Sequence, residues 1–229
     1  MGNHPFAQLN HLQQHHQLIP EKHLAEIFDR TATRKIARGG YLYLPAEEAQ
    51  QVYLLVQGRV KVGSFGDGSR EVTKYICRAS NILGEEGVIG AKVRHNFAQV
   101  LESATVAVLS VADFRKALQG NPALSQQLLR LIGGRLAEAE QQLESMVFLN
   151  SRSRIIAFLH RLAAQDGQRV GYKMLVRQFI THQEIANLTA TSRQTVTTVL
   201  NELRNANVLT FNRKRLLVRD MDTLAAWSR

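Results

Sequence analysis

Cysteine is nearly missing from the 229-residue chain, where Cys77 stands alone. One thiol excludes an intrachain disulfide, a cysteine zinc cluster and a four-cysteine iron–sulfur site. No run of eighteen or more apolar residues occurs, which excludes a bilayer-spanning helix. The polar N-terminus has neither a basic start nor an apolar core segment, so it does not read as a secretory signal. A reducing cytoplasm fits these absences. G-x-S-x-G, the P-loop and H-E-x-x-H are also missing, as is any linked spacing of nucleophile and base, so an enzyme is not expected. His4, His11, His15, His16 and His23 crowd the N-terminus, but no carboxylate or cysteine joins them at a set spacing. They read as a solvated tail, and no metal site is expected. No long-period repeat or low-complexity tract is visible.

Hydrophobic residues make up 45% of the chain and charged residues 21%, enough apolar content for a real core and too much for wholesale disorder. The length suits two domains. The net charge is +10, and it is unevenly spread. Residues 1–150 hold 16 basic and 14 acidic side chains, whereas residues 151–229 hold 13 and 5. A polyanion-binding module explains a basic last third, and so does a solvated basic surface.

From about Lys35 to Leu109 the sequence reads as short strands punctuated by glycine. Val52–Val56 and Val60–Phe65 flank Gly58, Gly66-Asp67-Gly68 marks a turn, and apolar runs follow at Val72–Cys77 and Thr105–Leu109. This is the rhythm of an antiparallel sandwich or roll. A helix over Glu21–Arg30 precedes it. Pro122 opens a long helix on which Leu129, Ile132, Leu136, Ala139, Leu143 and Met146 step by threes and fours, as in a coiled-coil seam. The flanks, Arg135 and Glu138 among them, are polar enough to leave a narrow stripe. Two readings remain: a dimerisation helix, or a core helix packed in its own domain. Gly133-Gly134 weakens it locally, either easing a shift or doing nothing of consequence. Ser151 is the expected N-cap of a further helix, Arg152 to about Gln165, with Ile155, Phe158, Leu159 and Leu162 inward, and the domain boundary is placed at Asn150–Ser151.

Residues 181–204 carry the strongest motif. Thr181-x-x-Glu184 and Thr191-x-x-Gln194 read as capping boxes of two short helices joined by a tight turn. Ile185 and Ala186 face inward from the first, and Val196, Val199, Leu200 and Leu203 from the second. The result is a helix-turn-helix whose second helix leaves Ser192, Arg193, Gln194, Thr197, Thr198 and Asn201 accessible. Those residue types bond base edges and phosphates, so the face suits a major groove. Downstream, Val208–Phe211 and Leu216–Val218 bracket Asn212-Arg213-Lys214-Arg215, a wing with three cations at its tip. The basic balance of the module and the wing together favour double-stranded DNA.

The order of these parts resembles the Crp/Fnr family of bacterial transcription regulators, over nearly the whole chain. Val52–Val62 is similar to a recurring strand–Gly–strand segment, Gly84-Glu85 through Arg94-His95 to the family's phosphate-binding cassette, and Ile180–Leu203 to its winged helix-turn-helix. The resemblance implies an α+β fold. An N-terminal antiparallel β-roll of cyclic-nucleotide-binding type, jelly-roll-like, spans residues 1–120, a dimerisation helix 121–150, and a winged helix-turn-helix DNA-binding domain 151–229. It implies a cytoplasmic homodimer that reads a near-palindromic operator and works with RNA polymerase, not at a membrane. Thr195 keeps the family pattern at the start of the recognition helix, and His182 and Thr181 sit where backbone phosphate is met. Family members commonly carry Glu in place of Gln194 and Arg in place of Thr198, so an altered half-site is expected, with Arg193 reading guanine and Gln194 better suited to adenine. In cyclic-AMP-responsive relatives the cassette holds the nucleotide. Here Gly84, Glu85 and Arg94 match, His95 replaces a Ser, and Ala139-Glu140 replaces a polar Thr-Ser pair. No cofactor is certain: the resemblance implies a cyclic nucleotide or other small anion at Arg94, against an internal pairing of Arg94 with Glu85 or Glu86. The alternative function is a cyclic-nucleotide-binding regulatory subunit of an enzyme or channel.

Overall fold

Alternation along one strand organises the N-terminal half. In the computed structural model, which describes residues 31–228, β3 (Gln51–Gln57) sends Val52 and Leu54 into one apolar cluster and Tyr53 and Leu55 into another. The period of two places one core on each face of its sheet. That sheet runs β1 (Thr33–Ile36), β8 (Ala104–Ser110), β3, β6 (Ile82–Leu83). A second sheet runs β2 (Tyr41–Tyr43), β7 (Phe97–Val100), β4 (Val60–Phe65), β5 (Glu71–Cys77). All neighbours are antiparallel. Leu42, Tyr43, Leu55, Val60, Val62, Cys77, Val100 and Val106 share one buried cluster fed by both sheets. Gly58 takes the chain from one sheet to the other. Its φ is +96°, and a Cβ there would stand 2.6 Å from the Ser103 carbonyl oxygen.

The other face of β3 is covered by helices. α1 (Val111–Gly120) starts on Ser110, whose hydroxyl accepts from the Asp113 amide, and buries Val111 and Phe114. α2 (Pro122–Phe148) begins at the expected proline and buries Leu124 and Leu128 in the same cluster. The described chain falls into two compact units, one ending at Glu138 and one starting at Ala139, so α2 runs through the division.

The second unit holds α3 (Ser151–Asp166), β9 (Gln168–Val170), β10 (Lys173–Val176), α4 (His182–Thr189), α5 (Arg193–Asn205), β11 (Leu209–Phe211), β12 (Leu216–Val218) and α6 (Met221–Trp227). Its sheet has the order β11, β12, β10, β9. Two expectations need correction, and one hairpin is unforeseen. Asn150, not Ser151, caps α3: its side chain accepts from the Ser153 amide at 2.9 Å, which places Ser151 inside the helix. The deepest stripe of α3 is Ile155, Ile156, Leu159 and Ala163, with Phe158 and Leu162 half-buried, because α3 is covered on more than one side. The hairpin β9–β10, turning at Gly171 (φ +62°), has no counterpart in the sequence pattern, since all three residues of β9 are exposed and carry no apolar alternation. The expected helix Glu21–Arg30 and the five N-terminal histidines lie outside the described residues. Among the described residues, no helix is long and apolar enough to cross a membrane.

Candidate nucleic-acid interface and roll interior

The first helix of the motif starts as expected. Thr181 Oγ1 accepts from the Glu184 amide at 3.2 Å, and the Glu184 carboxylate accepts from the Thr181 amide at 2.8 Å, closing the capping box. The second cap is one residue later than the spacing suggests. Ala190 ends α4 in the left-handed region, with φ of 49°. The Thr191 amide still bonds the Ala186 carbonyl at 3.0 Å, and its hydroxyl meets that of Thr189. The cap of α5 is therefore the extended residue Ser192, whose hydroxyl accepts from the Thr195 amide at 3.0 Å. Thr191 and Gln194 form no capping box.

This shift sorts the candidate base readers. Arg193, Gln194 and Thr198 are exposed, and no hydrogen bond among the described residues engages their side chains. Asn201 is half-buried on the same helix. The Ser192 hydroxyl is occupied as a cap and lies 2.8 Å from Thr195 Oγ1. Thr197 is also committed. Its hydroxyl donates to the Arg193 carbonyl at 2.9 Å and lies 2.9 Å from His182 Nδ1. With the hydroxyl proton pointed at a carbonyl, His182 is the donor in that contact, so its neutral ring carries the proton on Nδ1. The ring also packs edge-on against Phe211, with centroids 5.6 Å apart. Burial, and then the Arg193 charge, hold the His182 pKa below its usual value.

Beside α5 stands the wing. Asn212 Oδ1 accepts from the amides of Lys214 and Arg215, both at 2.9 Å, and this fixes the turn between β11 and β12. Arg213, Lys214 and Arg215 are exposed on it. Phe211 at the root of the wing lies under Arg204, 5.4 Å from its guanidinium carbon. One supporting residue escapes the sequence reading. Arg154 on α3 donates to the carbonyls of Leu149, Thr189 and Ala190, at 2.8, 2.9 and 3.2 Å, and so holds the turn between α4 and α5. No spacing rule announces a cation that clamps backbone carbonyls.

Inside the roll the cassette residues behave differently from one another. Gly84 has φ of +80°, and a Cβ there would stand 2.7 Å from the Gln51 carbonyl oxygen and 2.9 Å from Arg94 Nη1. Arg94 is only 2% exposed. It donates to the carbonyls of Gly84, at 3.0 Å, and of Gln51, lies 3.8 Å from Glu86, and covers the Tyr43 ring at 4.4 Å. This geometry matches the internal alternative, with Glu86 as the partner. Glu85 is buried and pairs with Arg135 of α2, a residue that the sequence pattern assigns to a polar flank. His95 is exposed, and so are Ala139 and Glu140. The Tyr43 hydroxyl, Glu85 Oε2, Glu86 Oε1 and Arg94 Nε are buried without a hydrogen-bond partner among the described residues. Burial, and then Glu85, raise the Glu86 pKa, while Arg94 pulls it back in part. Burial pushes the Cys77 thiol up to about 11, so it is a core residue and not a reactive one.

Along α2, Leu129, Leu136 and Leu143 are 70, 60 and 64% exposed, and Ala139 and Met146 are exposed with them. Ile132 alone of the stripe is partly packed on the apolar cluster under β3. A helix buried on one side and so apolar on the other presents a surface for another protein.

Comparison with known proteins follows the same division. Residues 33–121 match the cyclic nucleotide-binding domain, and residues 153–227 match the Crp-like helix-turn-helix domain. The chain is 26% identical to the global nitrogen regulator of a Nostoc species over 214 residues, covering 90% of this chain and 96% of the relative. It is 26% identical to the CRP-like cAMP-activated global transcriptional regulator of Mycobacterium tuberculosis over 192 residues, 84% of this chain and 86% of that one. Among solved structures, a mutant of CooA from Carboxydothermus hydrogenoformans superposes with a TM-score of 0.78 at 25% identity, covering 89% of this chain and 90% of the other.

Proposed function

The chain belongs to the Crp/Fnr family of bacterial transcription regulators, and from that premise we propose that it binds double-stranded DNA as a homodimer. Two copies of α5 enter major grooves of a near-palindrome about 34 Å apart, one DNA turn. The observation that carries this reading is the face of α5, where Arg193, Gln194 and Thr198 stand exposed and unengaged between the capped start of α4 and the cationic wing. Arg193 reads guanine through paired donors, and Gln194 reads adenine. Thr181 and His182 meet a phosphate at the α4 N-terminus, and Arg213, Lys214 and Arg215 meet phosphates along the flank. Ser192, Thr195 and Thr197 serve by fixing the start of α5, and Asn201 extends the reading face. The copies pair along Leu129, Leu136, Ala139, Leu143 and Met146, with Ile132 at the edge. The regulator acts in the cytoplasm with RNA polymerase and has no catalytic role of its own. The alternative of a subunit controlling an enzyme or channel gives way, because the domain after the roll is a Crp-like helix-turn-helix.

Fluorescence anisotropy on duplexes recovered by binding selection tests this. Arg193→Ala lowers affinity roughly tenfold or more and relaxes the guanine position. Replacing Arg213, Lys214 and Arg215 together by Ala reduces the salt slope by about 3. Affinity that ignores salt, or is unchanged by Arg193→Ala, overturns the proposal.

A second reading concerns control. The match of residues 33–121, and the buried Tyr43 hydroxyl and Arg94 Nε that find no hydrogen-bond partner among the described residues, support a small polar anion in the roll, a cyclic nucleotide included. As the roll stands, the fit is incomplete: the Arg94 guanidinium is spent on carbonyls and Glu86, and Glu85 is spent on Arg135. An anion at Gly84, Glu85 and Arg94 therefore has to displace these partners. Calorimetry with cyclic AMP and cyclic GMP measures this directly. No heat in the micromolar range removes both nucleotides.

A further inference from the structure

Among the described residues the guanidiniums of Arg59, Arg94 and Arg135 are nearly buried, and that of Arg135 comes from outside the roll's own strands and cassette. It belongs to α2, yet its side chain is 11% exposed and that of Glu85 10%. Nη1 donates to Glu85. Nη2 donates to the Ile82 carbonyl at 2.7 Å and lies 3.7 Å from Cys77 Sγ, and the guanidinium carbon sits 4.4 Å over the Tyr75 ring. A planar fork suits this combination of carboxylate, carbonyl and ring face, which an ammonium group would not reproduce. Burial pushes the Arg135 pKa down, but Glu85, Cys77 and Tyr75 outweigh it, and the net direction is upward. The cation is therefore permanent.

Its place on α2 gives the pair a consequence. N-terminal to it, α2 is held to the roll by apolar contact, through buried Leu124 and Leu128 and then partly buried Leu131 and Ile132. Gly133 and Gly134 follow, and a Cβ on either would touch nothing within 4 Å. The helix is intrinsically weakest at these two positions. Arg135 comes next, and beyond it Leu136, Ala139 and Leu143 are exposed. One ion pair, placed just past a soft point, thus ties α2 to the roll at the last turn before the exposed seam.

We propose that Glu85–Arg135 is a built-in latch that fastens α2 to the roll with no bound effector and holds the regulator in its DNA-binding form. The proposal rests on the DNA-binding reading above. It adds that the carboxylate at the head of the cassette is occupied by the chain's own guanidinium, so a ligand at Glu85 and the closed latch exclude each other.

A double-mutant cycle on the full chain tests the latch, with operator affinity as one readout and amide hydrogen exchange of residues 133–148 without DNA as the other. Glu85→Gln and Arg135→Gln each lower affinity about tenfold, and the double variant loses no more, because both remove the same contact. Exchange in residues 133–148 quickens about tenfold in all three. Single variants that keep wild-type affinity and exchange, or losses that add in the double variant, overturn the latch. Glu85→Asp, which keeps the charge and withdraws it by one methylene, replaces a glutamine variant that does not fold and moves both readouts in the same direction. If the wild-type chain binds no DNA, the functional reading fails while exchange still judges the latch. Arg193→Ala lowers operator affinity roughly tenfold or more and leaves exchange untouched.

Discussion

In the proposed DNA complex, His182 is a residue whose ionisation touches function. Its pKa is held below 6.5 by burial first and by Arg193 second. Below about 6.5 the unfolded chain takes up the proton before the folded one does, so this group's contribution to the stability of the second unit is present at neutral pH and is lost as pH falls through that value. In the proposed complex DNA reverses the balance, because a phosphate at the α4 N-terminus favours the imidazolium, which then donates from both nitrogens. Binding therefore takes up a proton, and affinity at constant salt rises as pH falls from about 7.5 to 6. Calorimetry in two buffers of different ionisation enthalpy measures the uptake. His182→Gln keeps an N–H for Thr197 but does not titrate, so it flattens the pH profile; an unchanged profile in that variant rules the mechanism out. The family resemblance is what suggests a phosphate contact for His182. Its bond to Thr197 is not legible in the sequence, because it joins two helices across fifteen residues.

At the scale of elements, caps and clamps set the frame of the helix-turn-helix. Ser192→Ala removes the true cap of α5 and lowers unfolding stability by about 1 kcal/mol, whereas Thr191→Ala costs clearly less. Arg154→Ala removes a charged donor from three carbonyls and costs roughly 2 kcal/mol, with DNA affinity falling as the turn loosens. Denaturant unfolding of the three variants separates these cases, and equal losses for Ser192 and Thr191 contradict the assignment. The same elements mark how far pattern reading reaches. Alternation and glycine punctuation are local signals, and they locate strands β3, β4, β5 and β8 within a residue or two. The caps of α3 and α5 each fall one residue from where the pattern puts them. Two residues of good capping type stand side by side in both places, Asn150 with Ser151 and Thr191 with Ser192, and only the backbone dihedrals choose between them. Arg135 is hidden for a further reason. A charged residue on the flank of an apolar stripe looks solvated until a carboxylate from a distant loop, here Glu85, is folded against it.

For the whole molecule, the proposed pairing along the exposed stripe of α2 makes assembly part of function. Leu143→Asp places a charge in the seam and shifts the chain from dimer to monomer in sedimentation equilibrium. Operator affinity drops with it, because one α5 reads only a half-site. A variant that stays dimeric with full affinity shows that the copies pair elsewhere. The pairing register of the roll has a different kind of consequence. Thr33 pairs with Ala107 and Gln51 with Ser110, so the first strand is closed by the last. In the second unit the pairings are nearer in sequence, with Val170 on Lys173, Phe211 on Leu216 and, at the longest, Met174 on Val218. Distant pairings carry a loop-closure cost before they gain any contact, and near ones do not. On the ribosome, the roll has to wait for residues past 110, and α2 is the next long segment to emerge. On the proposed pairing, the surface that joins two chains is thus synthesised only after the described strands of its own roll, an order of events that limits premature association of nascent chains.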